Sequence, residues 1–125
     1  MKTRILIADD HKVYRDLLKE VINLQADMEV VGEAENGLNA IALTRELLPD
    51  VVLMDVKMPV MDGAEATRRI LAEMPGMKIL AISIYATDEF MTNMMHAGAL
   101  GYILKECDSE ELSGAIRRVA GYGNP

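Results

Sequence analysis

Cysteine is nearly absent: Cys107 is the only one in the chain. One thiol cannot close an internal disulfide or supply a multi-cysteine zinc site. Long hydrophobic runs are also missing. The N-terminal MKTRILIADD holds too short an apolar stretch for a secretory signal, and no segment reaches the ~20 apolar residues of a membrane span. The expected compartment is therefore the cytoplasm, with no membrane partner. Basic charge is scarce, since 13 Lys and Arg stand against 20 Asp and Glu for a net charge of −7. Such a chain has no general attraction for phosphate backbones and suits a divalent cation better than DNA. What remains is 125 residues, half of them hydrophobic and a quarter charged. That is one globular domain, large enough to bury a core without staples.

The hydrophobic residues alternate between two patterns. Ile5-Leu6-Ile7-Ala8, Val51-Val52-Leu53-Met54, Ile79-Leu80-Ala81-Ile82 and Tyr102-Ile103-Leu104 are short continuous runs, as expected of strands covered on both faces. Met28–Ala34 is mixed and acidic, and reads as an edge strand. Helical spacing lies between the runs. Val13, Leu17, Val21 and Leu24 form one series, and Ala40, Leu43 and Leu47 a second, ended by Pro49. Gly63, Ala66, Ile70 and Met74 form a third before Pro75-Gly76, and Phe90, Met94 and Ala97 a fourth closed by Gly98. Leu112, Ile116 and Val119 form the last, behind Asp108 with Glu111 three residues on, which is a capping-box pattern. Five strands alternating with five helices imply an α/β fold with a parallel sheet and helices on both faces. Ligands of such sheets sit beyond the carboxyl ends of the strands.

Those ends carry Asp9-Asp10, Asn36-Gly37, Asp55, Ser83 and Lys105. If the first and third strands are neighbours, Asp9, Asp10 and Asp55 converge, and a cation relieves their repulsion. Oxygen ligands with water completing the shell suit Mg2+. Either of Asp9 and Asp10 alone reads as a helix cap, Ser83 alone as a cap or turn residue, and Lys105 alone as a surface lysine. Together, carboxylates, a hydroxyl and an ammonium on different strand ends suit phosphoryl transfer to a carboxylate nucleophile. Asp55 follows a buried-type run that holds it rigidly. Asp62, followed by Gly63, reads as a turn or helix-start residue.

In order and spacing, ILIADDH, LMDVKMPVMDG, AISIYA and AGALGYILK resemble the receiver domain of two-component response regulators over essentially the whole chain. The last segment is most similar to the NarL/FixJ-like group, which has a LuxR-type output. The resemblance implies a flavodoxin-like (βα)5 three-layer sandwich with strand order 2-1-3-4-5. It implies Asp55 as phosphoacceptor from a sensor histidine kinase, and Mg2+ held by Asp9, Asp10, Asp55 and the backbone carbonyl of Lys57. Lys105 would pair with the phosphoryl group, and Ser83 would bond one of its oxygens. Tyr102 would be the switch aromatic, with Pro59 and Gly63 shaping the loop after the acceptor. Lys57 and Tyr85, two residues after Asp55 and Ser83, would set how long the phosphoryl group lasts. The output face would be the fourth helix, fifth strand and fifth helix, where Met91, Met94, Met95 and His96 lie. The resemblance implies a signalling phosphoacceptor and not an enzyme with a separate substrate. It implies DNA contact only through a C-terminal domain outside this chain, and allows a phosphorylation-dependent homodimer.

Other readings fit less well. A haloacid-dehalogenase-like enzyme needs a second Asp two residues after the nucleophile, where this chain has Lys57. A flavin carrier needs a Ser/Thr/Gly-rich loop after the first strand, where Asp9-Asp10-His11-Lys12 stands. A degenerate receiver would lack some of the five key positions. The expected receiver domain is residues 1–121, with 122–125 opening a linker or tail, and a stand-alone receiver in a phosphorelay is the alternative.

Overall fold

The structure, a computed structural model, describes residues 1–121; the linker or tail expected at 122–125 lies outside them. The chain alternates β1 (Thr3–Ala8), α1 (Lys12–Asn23), β2 (Met28–Ala34), α2 (Gly37–Leu47), β3 (Val51–Asp55), α3 (Gly63–Glu73), β4 (Lys78–Ser83), α4 (Asp88–Ala97), β5 (Gly101–Leu104) and α5 (Ser109–Ala120). The strands form one parallel sheet in the order β2-β1-β3-β4-β5, as the resemblance implies.

Side-chain alternation divides the core in two. Leu6, Ala8, Val52, Met54, Ile79 and Ala81 face one layer, with residues of α2, α3 and α4. Ile5, Ile7, Val51, Leu53, Leu80 and Ile82 face the other, with residues of α1 and α5. The continuous runs of β1, β3 and β4 are thus explained, because a strand covered twice needs apolar side chains at every position.

Packing sharpens two of the sequence expectations. In the α1 series, Val13 and Leu17 and the C-cap Leu24 point to solvent at 85%, 53% and 77% exposure, Val21 is half-buried against the core, and the buried residues are Arg15, Leu18 and Ile22. The side of α1 that docks is set by where β1 places the helix. The Tyr102-Ile103-Leu104 run does meet both layers, Tyr102 packing against one and Ile103 against the other, but less deeply than the central strands. β5 ends the sheet opposite β2, and each of its residues is half-buried.

The helix boundaries follow local chemistry. Asn36, Asp62 and Asp108 cap α2, α3 and α5, accepting from the backbone N–H groups of Asn39, Glu65 and Glu111. Gly98 closes α4 at φ 115°, a conformation that L side chains rarely adopt. Arg117 at the end of α5 donates to both carboxylate oxygens of Asp27, tying α5 to the turn before β2.

Candidate functional site

Strand register builds the site. Ala8 pairs with Met54, so Asp9 and Asp55 leave the sheet side by side. Asp55 pairs with Ile82 and Ser83 with Leu104, which brings Ser83 and Lys105 to the same edge. Lys105 Nζ lies 2.7 Å from Asp9 Oδ2 and 3.3 Å from Asp55 Oδ2. Asp9 and Ser83 are fully buried and Asp55 nearly so, at 4% exposure. Burial pushes the Asp55 carboxyl up to about 6; Asp9 adds to the rise and Lys105 opposes it.

Beside Asp55 opens a cavity of about 350 Å³, lined by Asp10, His11, Lys57, Tyr85 and Lys105 among others. Lys57 Nζ stands 5.8 Å from the Tyr85 ring centre, and that ring stacks on Phe90 at 4.5 Å. The cavity therefore has an aromatic wall topped by a cation. Ser83 Oγ accepts from the Tyr85 N–H, and the Tyr102 hydroxyl donates to the Tyr85 carbonyl. Both residues of the expected switch pair thus bond to Tyr85. After Asp55, Met61 N–H donates to the Pro59 carbonyl across Val60, which sits at φ 70°. Gly63 N–H donates to the Val56 carbonyl, and a Cβ on Gly63 would lie 2.1 Å from the Asp55 carbonyl oxygen. Only glycine allows α3 to start so close to the acceptor strand.

Asp9 and Asp10 do not cap α1. His11 holds the N-cap position without a side-chain cap bond, and its N–H donates to Asp9 Oδ1. Asp9, Asp10, His11 and Asp55 each offer one ligand atom, all within 4.8 Å of one another. Asp9 Oδ2 and Asp10 Oδ1 are buried and receive no hydrogen bond. Orphaned carboxylate oxygens next to further carboxylates fit a divalent cation.

Two supporting residues had no clear signal in the sequence. Arg15 is buried in α1, donates to the Asp9 carbonyl at 2.6 Å, and pairs with Glu33 on β2. Tyr14 donates to the Lys105 carbonyl, and its ring lies 4.6 Å from Lys105 Nζ. Burial, with Cys107, Asp9 and Asp55 nearby, raises the Tyr14 phenol above its usual range. A buried arginine in α1 could have been found only from its helical phase with Leu18 and Ile22. Cys107 is half-buried, and burial with Glu111 and Asp108 raises its thiol, as befits an unreactive cysteine.

Residues 5–117 match the family model of the response regulator receiver domain. The chain belongs to the response regulator receiver family. This receiver is 39% identical over 122 residues to the transcriptional regulatory protein DegU of Brevibacillus brevis, covering 98% of the chain and 52% of the relative. It is 42% identical over 116 residues to the response regulator GacA of Pseudomonas aeruginosa, covering 93% and 54%. The chain thus spans about half the length of these relatives. Among solved structures, the receiver domain of the putative response regulator NarL of Mycobacterium tuberculosis superposes with a TM-score of 0.93 at 31% identity, covering 97% of this chain and 98% of that one. A LuxR-family response regulator of Aurantimonas sp. SI85-9A1 gives 0.92 at 34% identity, covering 97% and 86%. The receiver is thus a two-component signalling domain with relatives known as transcriptional regulators, as the sequence motifs implied. Among its described residues no helix is long and apolar enough to cross a membrane.

Proposed function

We propose that Asp55 is the phosphoacceptor of this receiver and takes its phosphoryl group from a phosphohistidine of a sensor histidine kinase. The observation that carries this is the Asp55 carboxylate at the end of β3, facing an open cavity and flanked by Lys105 and the Asp9–Asp10 pair. A carboxylate oxygen of Asp55 attacks phosphorus, the P–N bond of the donor breaks, and the imidazole leaves with that electron pair. The product is an acyl phosphate on Asp55. Lys105 shifts its charge from the Asp9–Asp55 pair to the new phosphoryl oxygens. Asp9, Asp10, Asp55 and the carbonyl of Lys57 would hold Mg2+, which supplies positive charge to the phosphoryl oxygens when bound.

Ser83 would turn its hydroxyl from the Tyr85 N–H to a phosphoryl oxygen. Tyr85 carries both the Ser83 and the Tyr102 bonds, so such a turn would reach Tyr102. The α4–β5–α5 face would then change, and Met91 and Met95 are exposed on it, while Met94 is core. The names of the relatives support transcriptional control, which would act through a DNA-binding domain outside this chain, and the exposed face would serve a phosphorylation-dependent homodimer.

The test is to incubate the protein with Mg2+ and acetyl phosphate and weigh it intact. The expected result is the mass of one phosphoryl group on the wild type and none on Asp55→Asn. An equal addition on both proteins refutes the assignment of Asp55.

A further inference from the structure

We propose that His11 is a nitrogen ligand in the acidic pocket, and that it shifts the pocket's preference from Mg2+ towards nitrogen-seeking ions such as Co2+. The proposal rests on the reading of Asp9, Asp10 and Asp55 as a cation site. The imidazole Nδ1 lies 3.3 Å from Asp9 Oδ1 and 3.3 Å from Asp10 Oδ1. One ligand atom from each of Asp9, Asp10, His11 and Asp55 falls within 4.8 Å of the others. Opposite ligands of a six-coordinate ion are about 4.2 Å apart at bonds of ~2.1 Å, so small side-chain rotations bring these atoms onto one ion, with the remaining positions left to other oxygens.

A second observation points into the same space. Asp9 is fully buried, yet its Oδ2 receives no hydrogen bond, and neither does the buried Oδ1 of Asp10. Lys105 Nζ, 2.7 Å from Asp9 Oδ2, supplies charge there without an aligned hydrogen bond. His11 is not held at the pocket by folding needs. Its side chain makes no cap bond to α1 and is 66% exposed. Its backbone N–H, by contrast, is fixed on Asp9 Oδ1 at 2.9 Å, which keeps the residue at the rim.

The chemistry separates the ions. Mg2+ is hard, prefers oxygen and keeps several waters, so it gains little from an imidazole. Affinity for nitrogen rises along the series from Mn2+ to Co2+ and beyond. Three carboxylates alone would discriminate weakly between Mg2+ and Co2+, and an added imidazole would favour Co2+. The occupant in the cell would then depend on which divalent ion is abundant.

Binding of Mg2+ and of Co2+ is measured by titration calorimetry on untagged protein, for the wild type, His11→Ala, His96→Ala and Asp10→Asn. His11→Ala is expected to weaken Co2+ by about tenfold or more and Mg2+ by less than about threefold. His96→Ala should change neither. Pulsed electron paramagnetic resonance of bound Mn2+ should show nitrogen coupling in the wild type that His11→Ala removes. Unchanged Co2+ affinity in His11→Ala, an equal loss for both ions, or nitrogen coupling that survives the substitution overturns the role of His11. Asp10→Asn should weaken both ions. If it weakens neither, the acidic site itself is wrong, a failure separate from that of His11.

Discussion

The carboxyl of Asp55 is harder to ionise in the folded protein than its ordinary value of 3.8, rising to about 6 because it is buried beside Asp9. The sign follows from linkage. A group with a raised folded pKa stabilises the fold fully below 3.8, and that stability is lost as pH rises through about 6. Asp55→Asn removes the ionisation and should raise the melting temperature at pH 7.5 in the presence of EDTA, by at most about 3 kcal/mol of stability. The difference should shrink as pH falls below 6 and vanish near 4, which thermal melts across ~pH 4–8 will check. At the cavity rim, Lys57 and Tyr85 stand in contact as cation over ring. This wall would restrict the approach of water to a phosphoryl group on Asp55, so such a group should have an intermediate or long lifetime. Lys57→Asn with Tyr85→Glu should speed loss of the label from phosphorylated protein severalfold, and an unchanged decay rate would sink the idea.

At the scale of elements, α1 sets adjacent leucines on different sides of the core boundary. Leu18 is 3% exposed and packs in the core with Ile22, while Leu17 is 53% exposed. Leu18→Ala should cost about 2–4 kcal/mol, and Leu17→Lys less than about 0.5 kcal/mol, in chemical denaturation. The reverse ranking would make the side of Leu17 the docking face. The loop between β3 and α3 has a different character. Val60 holds a positive φ that branched residues avoid, next to the glycine that lets α3 approach Asp55. Strain stored in a short loop beside a site keeps that loop in one arrangement only while its surroundings hold it there.

At the scale of the molecule, Tyr85 is one residue that joins the site to the α4–β5 side. Ser83 and Tyr102 belong to β4 and β5, and both bond to Tyr85. A phosphoryl group that draws the Ser83 hydroxyl away should loosen segment 84–102. Hydrogen exchange of that segment should increase on phosphorylation of the wild type. In Ser83→Ala, phosphorylation should still occur while the exchange change in 84–102 falls by half or more. An equal exchange response in both proteins would place the coupling elsewhere.

The order of the elements, their approximate bounds and the strand-end positions of Asp9, Asp55, Ser83 and Lys105 were legible in the sequence, because period and turn chemistry are local. The caps at Asp62 and Asp108 were legible for the same reason. The contact of Lys105 with Asp9, closer than with Asp55, was not, since it depends on the register of three paired strands. The roles of Arg15 and Tyr14 were hidden too, because each acts through a partner distant in sequence or through a backbone carbonyl. The sequence by itself determined an acidic α/β receiver with carboxylates, a hydroxyl and a lysine at its strand ends. Only the tertiary structure decided which face of α1 is buried, how deeply β5 packs, and how the charges share one pocket. Those outcomes depend on packing between elements, which no local pattern encodes.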